Sequence, residues 1–153
     1  MDALRAAPSS IATYATVKDE DNTVLREGSN GWVCRPTAEA HVMAGKVREP
    51  RCDDAVWPRF REAHRNNKPF KTDRIGFSYM LMGDNGTSNI TPGVTPEHQR
   101  PTPDNEWGTT GPHLMILVPD EKMLEGIPAD PETGGPYIMF KGTPNVHIMV
   151  PTQ

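Results

Sequence analysis

The residues best suited to chemistry occur in a short phrase that the chain contains twice. His113 and Met115 open an apolar run that ends in Val-Pro, and His147 and Met149 open a second run with the same ending. In an extended strand, residues two apart point to the same side. Two such strands side by side would present two imidazoles and two thioethers, a soft ligand set that suits copper. One hypothesis is therefore a copper-binding module with ligands His113, Met115, His147 and Met149.

The same imidazoles also suit acid–base catalysis. A catalytic dyad needs a carboxylate that orients an imidazole within hydrogen-bonding distance. Asp84 follows an apolar segment and has the strand parity that such a role requires. The alternative role for Asp84 is a turn residue before an Asn-Gly pair, and the sequence contains no Gly-x-Ser-x-Gly elbow, His-Glu-x-x-His or P-loop. A second hypothesis is a small enzyme of the hydrolase or isomerase type that uses His113 or His147 with Asp84, helped by Tyr79, Lys141 or Glu106.

Four apolar segments must position these residues. Each is too short for a stable helix, is bounded by Gly or Pro, and contains aromatic or β-branched residues, which favours strands. The predicted strands cover residues 75–82, 113–119, 137–141 and 146–151. Alternation along them separates two faces. The hydrocarbon face carries Phe77, Tyr79, Leu81, Leu114, Ile116, Val118, Ile138, Phe140, Ile148 and Val150, and we expect it to be core.

The opposite side, called the Met face, combines thioethers with ionisable groups. It carries Ser78, Met80, Met82, Asp84, His113, Met115, Leu117, Tyr137, Met139, Lys141, His147 and Met149. One interpretation is a second core beneath loops, because Met fills irregular gaps. The other is a surface that binds a small molecule or forms a homodimer interface. The ligand-binding residues then expected are Met80, Met82, Met115, Tyr137, Met139, Lys141, Met149 and Trp107.

Trp107 enters this set through the long segment between Gly83 and Pro112. The segment has no hydrophobic periodicity and contains several prolines, and unstructured loops of such length often serve function. It starts and ends beside the Met face, so it can fold over that face as a lid anchored by Trp107. A plain surface loop pinned by Trp107 is the alternative.

The remaining elements complete an α+β prediction. Residues 53–66 have helical spacing of apolar groups, and Pro58 places the regular start of the helix near Trp57. We expect this helix to cover the hydrocarbon face. Shorter strands are predicted over residues 11–17, 23–28 and 32–34, and helical turns over 120–126. The expected architecture is a single domain of residues 1–153, with a mostly antiparallel twisted sheet or partly closed barrel, one main helix and long Pro/Gly-rich loops.

Composition and cysteine content restrict the class of protein. The 153 residues are 35% hydrophobic, include 16 Pro and 13 Gly, and have a net charge of −4, which gives no basic footprint for nucleic acid. No apolar run is long enough for membrane insertion. Cys34 and Cys52 are expected to form a disulfide, which implies a secreted or periplasmic location, although two free thiols are the alternative.

Several longer phrases resemble a group of small exported bacterial proteins without assigned activity. The resemblance is carried by residues 24–34, 79–84, 111–120 and 134–144, and it runs through most of the chain after Val24. It implies export and a single domain, and it supplies no catalytic residues. Together with the Met face, it leads us to expect an exported small-molecule-binding or interaction domain. We predict no cofactor for that function.

Overall fold

The computed structural model describes residues 2–66, 68–88 and 100–153. It has the α+β architecture that the sequence predicts, with a mixed twisted sheet of eight strands and a few helices, one of them longer. The helices are α1 (Ser9–Ala12), α2 (Glu39–Met43) and α3 (Trp57–Arg65). The strands are β1 (Thr16–Lys18), β2 (Val24–Arg26), β3 (Val33–Arg35), β4 (Arg51–Asp53), β5 (Gly76–Met80), β6 (Thr87–Ser88), β7 (Trp107–Gly108), β8 (His113–Leu117), β9 (Tyr137–Met139) and β10 (His147–Pro151).

The large sheet has the strand order β2-β1-β3-β4-β5-β8-β10-β9. Its pairs are antiparallel except for β1 and β3, which run parallel. It is an open sheet, so the alternative of a partly closed barrel is wrong. β6 and β7 form a separate two-stranded ribbon. The strand expected over 11–17 is shorter, because α1 follows Pro8 and occupies residues through Ala12.

Helix α3 begins at Trp57, as the position of Pro58 predicts. Asp54 caps the preceding turn: its Oδ1 accepts hydrogen bonds from the backbone N–H groups of Val56 and Trp57 at 2.8 and 3.2 Å. Its Oδ2 accepts a bond from the Phe77 N–H at 2.7 Å. One carboxylate therefore fixes the start of α3 against strand β5.

The face that α3 covers differs from the expectation. Its buried residues Trp57 and Phe60 pack in one cluster with Met115, Met139 and Met149, so α3 lies on the Met face. The prediction that it covers the hydrocarbon face was wrong. Strand parity identifies residues that share a side, but local sequence does not specify which side a helix will cover. Flexible thioethers fit well against the large aromatic groups of α3.

The hydrocarbon face forms a smaller core. Ile138 and Ile148 are buried with Leu124, which belongs to a 3-10 turn at Glu121–Leu124. Asp120 caps this turn by accepting a hydrogen bond from the Lys122 N–H at 2.9 Å. Phe77, on the same face, is 37% exposed. The expectation that this whole face is core therefore fails at Phe77, while Tyr79 packs against the cluster around the disulfide and the β8–β10–β9 part is core.

The predicted disulfide joins neighbouring strands. Cys34 of β3 lies directly opposite Cys52 of β4, with 4.0 Å between the Cα atoms, and both side chains are fully buried. N-terminal alanines, including Ala3 and Ala6, cover the bond. It closes a loop with a sequence separation of 18, which contains α2. Among the helices of the described residues, none has the length and apolar character needed to cross a membrane.

Candidate functional site

A pocket of about 340 Å³ opens over the Met face, between α3 and two loop segments. Its apolar surface comes from the thioethers of the sheet and from aromatic rings of α3 and the loops. Volumes of about 300–1,000 Å³ are typical of small-molecule sites. The lining residues are His41, Lys46, Glu49, Trp57, Phe60, Arg61, His64, Asp84, Asn85, Gly86, Thr87, Trp107, Met115, Met139, Phe140, His147 and Met149.

Strand register decides how the repeated His-x-Met phrase is used. β8 and β10 are antiparallel, and Met115 pairs directly with Met149. His113 instead pairs with Pro151, four residues along β10 from His147. His113 and His147 are each the first residue of their strand, and the first residues of two antiparallel strands lie at opposite ends of the pair. Four residues of extended strand therefore separate the two imidazoles by about 13 Å. The two thioethers meet and the two imidazoles do not.

This separation bears on the copper hypothesis. A mononuclear site needs its ligand atoms within a few ångströms of one ion. Met115 and Met149 are neighbours, but His113 and His147 lie too far apart to join them around one ion. In the described ranges, no group of three or more His, Cys, Asp or Glu side chains has an arrangement that could hold a metal ion.

His147 is the buried polar group of the pocket wall. Its side chain is 4% exposed, and its ring makes edge contacts with Trp57, Phe60 and Phe140 at centroid distances of 5.5, 6.0 and 5.7 Å. Its Nδ1 donates a hydrogen bond to the Asn145 carbonyl at 2.8 Å. Burial lowers the pKa of His147 to about 4. The imidazole is therefore neutral at pH 7, with an Nε2 lone pair that no described residue engages.

Asn145 also holds a second histidine of the pocket. The Nδ1 of His64 lies 2.9 Å from the Asn145 side-chain oxygen, which can only accept. The His64 ring stacks on Phe60 at 6.3 Å between centroids, with planes 14° apart. One residue in the β9–β10 connection thus directs the Nδ1 atoms of two pocket histidines, and each ring keeps Nε2 for other contacts.

Half-buried Asp84 of the pocket lining and buried His113 form a close pair. Asp84 Oδ1 accepts hydrogen bonds from the N–H groups of Gly86 and Thr110, both at 2.9 Å. His113 is fully buried and donates from Nδ1 to the Gly111 carbonyl at 2.6 Å. Its Nε2 lies 4.0 Å from Asp84 Oδ2 and has no hydrogen-bond partner in the described part of the chain. Burial raises the pKa of Asp84 and lowers that of His113.

The rim of the pocket is assembled from two loops that bind each other. Asn85 exchanges two hydrogen bonds with the backbone of Val47, both at 2.9 Å. The Asn85 N–H also donates to Glu49, whose other oxygen contacts His41 Nδ1. Because His41 and Glu49 belong to the loop closed by the disulfide, that loop forms one wall of the pocket. The opposite rim is Trp107, which lies directly against Gly86.

Arg61 reaches from α3 across the edge of the pocket. Its guanidinium donates two hydrogen bonds of 3.1 Å to the carboxylate of Asp53, and a third of 3.1 Å to Ser78. It also stacks over Trp57 at 5.1 Å. Asp53 is 2% exposed, and although burial opposes ionisation, the Arg61 charge and these hydrogen bonds hold its pKa below the ordinary value. Arg61 is therefore neutralised where it borders the pocket.

The pocket contains only part of the predicted residue set. It is lined by Met115, Met139, Met149, Trp107, His147 and Asp84. Met80 packs against the same cluster without lining the cavity, and Met82 is half-buried elsewhere. His113 is enclosed behind Asp84. Tyr137 is buried, with its hydroxyl 3.0 Å from Thr110 Oγ1.

The alternation predicted for the third strand ends early. Phe140 was assigned to the hydrocarbon face and Lys141 to the Met face. β9 stops at Met139, and Phe140 has a left-handed φ of +57°. This turn brings Phe140 into the pocket lining and leaves Lys141 exposed. Of the other suggested catalytic helpers, Tyr79 packs with the N-terminal cluster and Glu106 is exposed.

The lid prediction concerned the whole segment from Gly83 to Pro112. Its two ends, at Asp84–Thr87 and Trp107, do line the pocket. Residues 89–99 of that segment lie outside the described residues.

Several pocket residues are not evident from strand patterns. Trp57, Phe60, Arg61 and His64 recur at helical spacing on α3, but their relevance depends on which face α3 covers. His41 lies in a His-x-Met phrase within a polar loop, where the phrase has no strand context. Glu49 carries no local signal, because its role depends on the contact with Asn85.

Comparisons with known protein families, with curated proteins and with solved structures find no match to this chain.

Proposed function

We propose that this protein is a small-molecule-binding domain whose ligand occupies the pocket over the Met face. The observation that carries the proposal is the pocket of about 340 Å³ between α3 and the sheet, whose thioether and aromatic surface is combined with polar side chains. A concave site of this make-up is the usual form of a small-molecule site. Because α3 covers Met115, Met139 and Met149, the Met face offers a cavity in preference to a flat homodimer interface.

The lining residues support binding in two ways. Thioethers adapt their shape to an apolar guest, and the rings of Trp57 and Trp107 provide large rigid contact areas. Arg61 is paired with Asp53, so its charge does not require a counterion from the ligand. The pocket can therefore accept an apolar body without leaving that charge unpaired.

A fragment screen by protein NMR tests the proposal. Thr87 lines the pocket, and Thr87→Phe places a ring into it, while Thr109 is exposed outside the lining and gives the matched control Thr109→Phe. Fragments that shift the amides of Met139, His147 and Gly86 in the wild type should lose binding about tenfold or more in Thr87→Phe. Binding in Thr109→Phe should stay at the wild-type level. Fragments that bind equally to all three proteins would contradict the proposed site.

The Asp84–His113 pair favours a second candidate, a small acid–base enzyme of the hydrolase or isomerase type. The 4.0 Å approach of Asp84 Oδ2 to His113 Nε2 and the pocket position of Asp84 support it. Asp84 would exchange a proton with a bound substrate, and His113 would position and polarise the carboxyl group. If a bound fragment is converted, Asp84→Asn should abolish turnover while binding remains. Turnover by Asp84→Asn would reject this candidate.

We further propose export to the periplasm or the extracellular space. Structural disulfides persist in oxidising compartments, and the Cys34–Cys52 bond is buried in the sheet. The resemblance to small exported bacterial proteins agrees with this. Fractionation of the native host, with detection by antibody, tests it, and protein confined to the reducing cytosol would reject it.

A further inference from the structure

His147 is a buried polar group of the pocket that offers a hydrogen-bond acceptor. His147 donates from Nδ1 to the Asn145 carbonyl, and its Nε2 has no hydrogen-bond partner among the described residues. The imidazole is at a site where the charged form is strongly disfavoured, so Nε2 offers a lone pair. A side chain that is 96% buried, by its 4% exposure, and still has a free lone pair in a cavity is ready to receive a donor.

Two other groups extend the same pattern. His64 directs Nδ1 to the Asn145 side-chain oxygen and keeps Nε2 free of described partners. Asp84 uses Oδ1 for two backbone N–H groups, while no described donor bonds to its Oδ2. Both residues line the pocket with His147. His147 Nε2 is therefore one of several polar atoms without described partners, on residues from three elements, that border one cavity.

The donors of the pocket differ in their pairing. Arg61 bonds to Asp53 and Ser78. Trp57 also lines the pocket, and its buried indole Nε1 has no hydrogen-bond partner among the described residues. The lining also includes Lys46, Asn85 and Thr87, so what distinguishes His147 is an accepting Nε2 on a buried ring that aromatic side chains surround.

We propose that the ligand of this pocket is a ring-bearing molecule with an N–H or O–H group, which donates to His147 Nε2. This inference rests on the proposed small-molecule function and adds the chemical class of the ligand. The ring packs on Met115, Met139 and Met149 between aromatic side chains, and a second donor or an acceptor of the ligand meets His64 or Trp57. A ligand without a donor leaves Nε2 of His147 buried and unpaired, which weakens its binding.

Two isomeric ligands of the same size and composition test this ligand class. 3-Methylindole has an N–H donor, and 1-methylindole carries its methyl group on that nitrogen. NMR titrations at pH 8, where His147 is neutral, should show 3-methylindole binding about tenfold more tightly, the factor for one buried acceptor left unpaired. The shifts should concentrate on pocket amides.

Variants of His147 identify the acceptor. His147→Phe keeps a ring of similar size but removes the lone pair, so the two isomers should bind it within about twofold of each other. His147→Gln supplies an amide oxygen and should restore a preference for 3-methylindole. Met139→Leu is the matched apolar control and should change binding of both isomers by the same factor. If His147→Phe does not fold, the nitrogen resonance of His147 Nε2 in the wild type should shift with 3-methylindole well beyond the shift that 1-methylindole causes.

The outcomes separate this inference from the proposed function. Equal binding of both isomers to the wild-type pocket would overturn the donor class while the pocket remains a binding site. A preference unchanged in His147→Phe would overturn the role of His147. Absence of pocket shifts with either isomer would overturn the ligand class, and the Thr87→Phe comparison then decides separately whether the pocket binds any fragment.

Discussion

Asp84 and His113 face each other across 4.0 Å, and neither Asp84 Oδ2 nor His113 Nε2 has a hydrogen-bond partner among the described residues. His113 is fully buried and Asp84 is half-buried, and burial shifts their pKa values towards the neutral forms, upward for Asp84 and downward for His113. The pair is thus held close without the bond that would stabilise it. We therefore expect a substitution that supplies the missing hydrogen bond to stabilise the protein.

Asp84→Asn should increase the free energy of unfolding at pH 7 by about 1 kcal/mol. The amide oxygen keeps the bonds from Gly86 and Thr110, and the new NH₂ group can donate to His113 Nε2. The pKa of His113 should fall further, because the Asp84 charge that raises it is lost. Urea denaturation and an NMR titration of the His113 ring measure these effects.

Asp84→Ala is the control for this substitution. It leaves both backbone N–H groups without their acceptor and should decrease the free energy of unfolding by about 2 kcal/mol. If the Asn and Ala variants are equally destabilised, the assignment of Asp84 Oδ1 as a structural acceptor is wrong.

His147 should make the protein sensitive to acid. Its pKa is about 4 in the folded state and 6.5 in the reference state, so only the unfolded chain binds this proton between these values. Stability is therefore complete above pH 6.5 and declines as the pH falls towards 4, by about 3 kcal/mol in total. Urea midpoints at pH 7.0, 5.5 and 4.5 measure the decline.

His147→Phe isolates this contribution from those of other groups. Asp84 acts in the opposite direction, since its raised pKa favours the folded state as acid is added, and it is present in both proteins. The difference in stability between wild type and His147→Phe should therefore shift in favour of the variant below pH 6.5. A difference that is constant from pH 7.0 to 4.5 would show that His147 is not buried in its neutral form.

Gly86 should resist substitution because of Trp107. A Cβ atom at Gly86 would lie 2.3 Å from Trp107 Nε1 and 2.6 Å from the Gly108 carbonyl, and φ is +91°. Gly86→Ala should lower the free energy of unfolding by about 3 kcal/mol, through backbone strain and overpacking, and should displace the indole. Urea denaturation and tryptophan fluorescence follow the two effects.

Gly45 provides the matched comparison. Its φ is +68°, but a Cβ there meets nothing within 4 Å. Gly45→Ala should cost about 1 kcal/mol, from strain alone, with unchanged fluorescence. Equal costs for the two alanines would mean that Trp107 does not rest on Gly86.

The disulfide should stabilise both the fold and the pocket wall. Replacing Cys34 and Cys52 by Ala removes the constraint on a loop with sequence separation 18 and should cost about 3 kcal/mol. Because Val47 belongs to this loop and donates to Asn85, its amide should lose protection from hydrogen exchange. Protection at β8 amides should fall only by the global loss of stability. An equal loss of protection at Val47 and at the β8 amides would show that the disulfide does not specifically stabilise the pocket wall.

Local sequence was sufficient for most of the elements. Ile and Val enrichment with Pro and Gly boundaries predicted the strands that became β5, β8, β9 and β10, and Pro58 placed the start of α3 at Trp57. Two cysteines that flank a polar loop predicted the disulfide. These features are decided by side-chain size, fixed proline geometry and chain length, which act over a few residues.

The same local sequence features predicted only part of the candidate site. Alternation correctly grouped Met115, Met139 and Met149, because side chains on a strand have a period of two. It failed at Phe140, where a left-handed residue ends β9, and it could not include His64 or Glu49. Those residues reach the pocket through α3 and the disulfide loop, and no spacing along the chain encodes that approach.

The sequence by itself determined the period of the strands, the start of α3 and the chemical character of each face. The tertiary structure alone decided that α3 covers the Met face and that β8 and β10 pair Met115 with Met149 while His113 and His147 diverge. The physical reason is that register and the choice of face depend on the total burial gained by distant segments. Alternation within one strand is the same for every such arrangement.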